Sequence, residues 1–228
     1  MTSQTRFDRK ELRTPRAAAI AGIIFALLLI SSMILIRLSL TAYPDDSGEW
    51  LKDSAHSFRI LIGLNMLPFA GIAFLWFIGV IRDLIGELED RFFATVFLGS
   101  GLIFVAMLFA AAAVAGGLLS SLSIQSGSEP RPEMLAFGRA VTYSILYVFA
   151  MKMAGVFMIS TTTMGLRAEV IPRWLGWLGY AFSAVLLLSI TYWEWMVLLF
   201  PLWVLVLSTN ILVRNYRRPL HEEQSQNP

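Results

Sequence analysis

Lys152 is the residue whose chemistry most needs an explanation. It stands near the middle of an apolar run from about Met134 to Met164, roughly 18 Å along a helix from that run's far end at 1.5 Å per residue. An ammonium group at such a depth in lipid costs roughly 2.5–3.5 kcal/mol. No Asp or Glu lies deep in any apolar stretch of the chain, so the partners of Lys152 must be carbonyls, hydroxyls, water or an anionic ligand. Two arrangements answer this. Either the lysine faces an internal cavity and holds a carboxylate or phosphate head, or it caps carbonyls freed where a neighbouring helix breaks.

Arg37, Arg59 and Arg139 come next. Arg37 lies within two turns of the end of the first apolar stretch, Arg59 opens the second and Arg139 lies near the start of the fourth. The planar guanidinium fork suits phosphate oxygens, so the three together would make a site for an anion or a lipid phosphate. Taken singly, each is a long stem that snorkels to the headgroups. Pro68 and Pro201 sit inside the second and last stretches, and each should free the carbonyl four residues earlier, at Leu64 and Val197. Asn65, beside the first of these, has an amide able to answer one. Broken helices line binding sites in some transporters, although most intramembrane prolines only kink the helix.

Other constellations are thin. Glu49, Asp53 and His56 would share one helical face, as a solvated surface or a weak metal or pH-sensing set. Asp83, Glu87 and Asp90 would form a polar stripe on a short amphipathic turn. Both histidines, His56 and His221, lie outside the apolar stretches, which excludes a haem held by two buried histidines. There is no Cys, and no H-E-x-x-H, G-x-x-x-x-G-K-[ST] or G-x-S-x-G motif. No catalytic residue, cofactor or metal site is therefore assigned.

The elements that carry these residues follow from composition. Of 228 residues, 57% are hydrophobic and 15% charged, and the mean hydropathy is +0.66. Soluble domains carry about 25% charged residues. The pattern predicts an all-α membrane protein, a bundle of six transmembrane helices over about 17–42, 58–81, 92–122, 134–164, 174–190 and 196–213. A basic arm at 1–16 precedes them and a polar tail at 214–228 follows. The Trp193-Glu194-Trp195 corner reads as an interfacial hairpin between the last two spans.

Lys and Arg crowd one set of flanks: Arg6 to Arg16, Arg82, Arg91, Arg167, Arg173 and Arg214 to Arg218. Lys52, Arg59, Arg131 and Arg139 are on the other set. The positive-inside rule places both termini in the cytoplasm. A net charge of +2, with basic residues flanking apolar segments, belongs to topology and not to nucleic acid. Small residues at spacings of four, Ala112/Gly116 and Ala113/Gly117, predict a close helix contact on the third span, either inside the monomer or between protomers.

Ser160 to Thr163 precedes Met164-Gly165-Leu166-Arg167. Ile171-Pro172-Arg173-Trp174-Leu175-Gly176-Trp177-Leu178-Gly179-Tyr180 then opens the fifth span. With the Phe58-Arg59 start of span two, this resembles a family of uncharacterised six-span bacterial integral membrane proteins over residues 58–180. That family has a cytoplasmic P-R-x-L-G-x-L element at this place. The resemblance implies a bacterial plasma (inner) membrane and brings no activity or catalytic residue. In physical terms, Pro172 suits a first helical turn and Arg173 an inner-leaflet phosphate.

Three functions fit these residues. One is an accessory component that binds membrane lipids or a membrane-protein partner. Another is a carrier of an amphiphilic or anionic small molecule through Lys152. The last is an intramembrane enzyme acting on a lipid, for which Lys152, Tyr143, Tyr147 and Ser/Thr hydroxyls are the available acid–base groups.

Overall fold

A computed structural model of the chain describes residues 13–38, 54–85, 91–124, 132–189 and 194–225. Among them every regular element is helical: α1 (Arg13–Arg37), α2 (Ser54–Ile85), α3 (Arg91–Ile124), α4 (Pro132–Tyr143), a π-helical turn (Ser144–Ala150), α5 (Met151–Arg167), α6 (Arg173–Leu188), a 3-10 turn (Glu194–Leu198) and α7 (Leu199–Ser225). Glu49, Asp53, Glu87 and Asp90 lie outside the described residues, so only His56 of the first acidic face and Asp83 of the second are placed.

Five helical stretches are long and apolar enough to cross a membrane: Ala17–Arg37, Ala55–Leu84, Phe92–Ser121, Glu133–Arg167 and Trp195–Arg214. The remaining apolar helix, α6, has 16 residues, which gives about 24 Å against a hydrocarbon core of about 30 Å. It stops short, and its end becomes a chemical problem taken up below. The rim of the bundle carries Leu27, Phe69, Trp76, Phe137 and Trp177, all well exposed. A water-soluble fold does not expose so many large apolar side chains together.

Packing of α1 against α2 is the most extensive in the fold, followed by α1 against α7. The first contact is drawn tight by Gly63. A Cβ added there would meet Ile36 Cγ1 at 2.7 Å, and Ser32 Oγ donates to the Gly63 carbonyl at 2.7 Å from within the seam. The α1–α7 seam is as close: a Cβ on Gly22 would collide with Ser208 Oγ and Phe77. Small residues permit such approaches where lipid offers no hydrophobic drive.

At the centre, buried phenylalanines from five helices meet around Phe74. Phe74 of α2 lies 4.6 Å from Phe25 of α1, 5.3 Å from Phe104 of α3, 5.0 Å from Phe157 of α5 and 5.5 Å from Phe200 of α7, centroid to centroid. Tilted and edge-to-face arrangements of this kind favour the ring quadrupoles.

Of the two contacts expected for the small residues of the third span, the one within the monomer is absent among the described residues. A Cβ on Gly116 or Gly117 would meet nothing within 4 Å among the described residues. Ala112 instead lines a cavity. The tight glycines lie on α1, α2, α5 and α6 as well as at Gly101 of α3.

The α5–α6 connection closes α5 with paired bonds, Val170 N–H to the Gly165 carbonyl at 2.9 Å and Glu169 N–H to the Leu166 carbonyl at 3.2 Å. This is the Schellman pattern, which places its C′ residue in the left-handed region. Here that residue is Glu169, at φ 56°. Arg214 Nη1 holds the turn from α7, donating to the Val170 carbonyl at 2.9 Å. Pro172 is the N-cap of α6, one position before the first turn, and its carbonyl accepts from Leu175 and Gly176.

Candidate functional site: a cavity with two arginines

Helix directions alternate, so that Gly22 early in α1 meets Ser208 late in α7, and Arg37 at the end of α1 shares a cavity with Val197 at the start of the last span. This cavity lies at the end of the bundle where α1 finishes and the last span begins, and it measures about 120 Å³. Its lining descends from Arg139 to Tyr147 on α4 and the π turn, and from Leu119 to Ala111 on α3. Eight residues of helix are about 12 Å, so the cavity reaches well into the bundle.

Its walls are mainly apolar: Met33 of α1, Leu64 and Leu67 of α2, Ala111, Ala112 and Ala115 of α3, and Leu146 of the π turn. The alanines matter because their short side chains leave the space that a leucine would fill. Small residues on α3 therefore make room inside the bundle instead of a helix–helix seam.

The polar groups are few and of one kind. Arg37, Arg139, Thr142, Tyr143 and Tyr147 line the cavity, with Trp195 at its margin. Arg139 is only 8% exposed. Thr142 spends its hydroxyl proton on the Gly138 carbonyl at 2.8 Å. Among the described residues no Asp or Glu lines it. An apolar cleft with a small set of convergent polar groups is what a small-ligand site requires.

The π turn belongs to this site. The Met151 N–H reaches the Leu146 carbonyl, five residues back, in the widened spacing that recurs at functional positions. Its sequence Ser-Ile-Leu-Tyr-Val-Phe-Ala is rich in β-branched and aromatic residues, which lose side-chain freedom in a tight α-turn. Tyr143 and Tyr147 stack across it at 5.1 Å with planes 10° apart.

Lys152 is elsewhere. Its Nζ donates to the carbonyls of Leu186 at 3.1 Å and Ser189 at 2.8 Å, and to that of Leu187. All three ammonium protons are thus spent on the C-terminal end of α6. Carbonyls ending a helix have no partner within it, and in lipid each unsatisfied one is costly. Of the two arrangements expected for this residue, the geometry is the capping one, and the lysine does not reach the cavity lining.

The remaining sequence candidates disperse. Arg59 is exposed and outside the cavity lining, so the expected trio of arginines is a pair. Asn65 is also exposed, and its Nδ2 donates to the Leu61 carbonyl at 2.8 Å instead of answering the carbonyl of Leu64. Pro68 faces outward, while α2 continues through it from Ser54 to Ile85. Pro201 is buried in the first turn of α7, where its missing donor would be unpaired in any helix. Neither proline is itself a lining residue, but Leu64 and Val197, four positions before them, both line the cavity.

Sequence reasoning had no hold on Thr142, Trp195 or the alanines of the cavity wall. The spacing of Tyr143 and Tyr147 four residues below Arg139 was the one available signal, since it places all three on one helical side. The chain matches no protein-family model, no curated protein and no solved structure.

Proposed function

We propose that this is a six-span membrane protein that binds a membrane amphiphile with an anionic head in the two-arginine cavity. The observation that carries this reading is the convergence of Arg37 and Arg139 on one apolar-walled space. Two guanidiniums supply the head contact through their planar forks, and the walls of α1, α2 and α3 accept a chain. α6 counts as the sixth crossing because its N-terminal Arg173 and Trp174 suit an inner interface and Lys152 completes its short far end. The distribution of basic flanks supports cytoplasmic termini, which puts the cavity in the outer leaflet. The P-R-x-L-G-x-L likeness supports a bacterial plasma membrane. A binding or accessory role is favoured over carriage through Lys152, whose donors are engaged by backbone.

The test is lipid retention. The full chain is purified in mild detergent and its bound lipid is measured by native mass spectrometry. Arg37→Met and Arg139→Met should each reduce retained anionic lipid at least tenfold, whereas Arg59→Met should leave it unchanged. Equal retention in all three variants overturns the reading.

A further inference from the structure

We infer that Trp203 and Thr162 are the two halves of a latch between α7 and α5, open in this structure and able to close across Gly179 of α6. Both side chains are fully buried, and neither the Thr162 hydroxyl nor the Trp203 Nε1–H has a hydrogen-bond partner. They meet at one notch. A Cβ built on Gly179 would collide with Thr162 Oγ1 and lie 2.9 Å from Trp203 Nε1. The missing side chain of Gly179 is therefore what lets α5 and α7 present polar atoms to each other past α6.

The two groups are complementary. An indole N–H only donates, whereas a threonine hydroxyl can accept while it donates elsewhere. Neighbours on α5 show where that hydroxyl proton goes. Ser160, Thr161 and Thr163 donate to the carbonyls of Val156, Phe157 and Ile159, four residues back, at 3.0, 2.7 and 2.8 Å, a habit of helical hydroxyls. Thr162, turned to Met158 in the same way, would offer an oxygen lone pair to Trp203. Water does not substitute, because a notch that one carbon overfills has no space for it.

A matched donor and acceptor left unmade in a buried site favour any small movement that joins them. The seam between α5 and α7 permits one, since these helices pack only lightly on each other. The opposing restraint is Phe200, three residues before Trp203, whose ring lies 5.5 Å from Phe74 of α2 and 4.9 Å from Phe104 of α3. Those contacts hold α7 toward α2 and α3, and the latch pulls it toward α5.

The cavity lies above this latch. Leu198 is a lining residue, and Trp203 stands five residues further along, about 7.5 Å at 1.5 Å per residue. On the other side α5 continues the π turn, whose Leu146 and Tyr147 also line the cavity. Closing the latch draws α7 toward α5, and with it the 3-10 turn toward the π turn. This device is independent of what the cavity binds.

The experiment uses the full chain in phosphatidylcholine nanodiscs. Its seven tryptophans are labelled with ¹⁵N, and Trp203 is assigned by the indole signal lost in Trp203→Phe. The Trp203 N–H should exchange between two positions on the microsecond-to-millisecond timescale, as read by relaxation dispersion. Thr162→Val should collapse it to one upfield position, that of an unpaired indole, and Thr162→Ser should keep the exchange. Thr162→Ala reports the same loss if valine disturbs the seam. Spin labels on Phe149→Cys and Leu202→Cys, two exposed positions in a chain without native cysteine, should show a shorter distance component that Thr162→Val removes. A Trp203 signal identical in the wild type and all three Thr162 variants overturns the pairing. A downfield signal without exchange means a permanent bond and overturns the two-state latch. Label distances unchanged by Thr162→Val overturn the movement of the cavity walls.

Discussion

Lys152 Nζ stands 2.8 Å from the carbonyl oxygen of Ser189, just beyond the last turn of α6. A side chain on one helix thereby finishes another of only 16 residues. The ammonium satisfies carbonyls that lipid cannot, and the carbonyl dipoles at a helix C-terminus favour a cation.

Replacing Lys152 with Met tests that relationship. Leaving buried acceptors unmade costs about 1–3 kcal/mol, so the variant should melt at a lower temperature in detergent. Hydrogen exchange should rise at Leu186 to Ser189 and stay unchanged at Phe74. Lipid retention at the cavity should survive in the folded fraction. A variant that melts at the wild-type temperature removes the capping role.

Gly63 and Gly116 give a paired prediction. Gly63→Val drives a side chain into Ile36 and the Ser32 backbone and should destabilise by about 1–3 kcal/mol, as overpacking does. Gly116→Ala enters open space and removes a flexible residue from a helix, so it should be neutral or stabilising by up to about 1 kcal/mol. Thermal melting of the two variants side by side is decisive, because a reversed order would exchange the roles of the seams.

Glu169 holds a left-handed backbone conformation that costs a side-chain-bearing residue about 1–2 kcal/mol. Glu169→Gly should therefore raise the melting temperature, with Arg214 still donating to the Val170 carbonyl. The gain should vanish if Arg214→Ala has already loosened the turn.

Topology is directly readable because the chain has no native cysteine. Single cysteines at Ser3 and Ser225 should react with an impermeant maleimide only after the cell is opened. One at Ser126 should react in intact cells. Labelling of Ser3→Cys from outside reverses every leaflet assignment made for the cavity.

Hydropathy made the helices legible: each of the six apolar stretches corresponds to a helix, and α6 alone is shorter than a span needs. Depth was legible too. Arg37 and Arg139 were expected near the same end of the bundle and share one cavity. Azimuth was not, because a side chain's direction around a helix acquires meaning only once its neighbours are known. That is why Arg59, at a similar depth, was grouped with two residues it does not join. The same gap hid the partner of Lys152, since nothing in a local window says which helix ends beside it. The alanines of α3 read as a seam because small side chains permit either contact or space, and the choice is made by the facing helix. The π turn was invisible because its bonding differs from an α-helix by one residue.

The knot of five phenylalanine rings has a consequence for how the molecule is made. Phe25 is delivered by α1 and Phe200 by α7, which is synthesised about 160 residues later, and their rings meet 5.7 Å apart. Until α7 is inserted, the middle of the bundle lacks one of its plugs, and the broad seam along α1 stays open to the surrounding bilayer. A nascent chain cut off before residue 199 is thus an arch without its keystone, and membrane proteases that survey loosely packed helices would meet it in that condition.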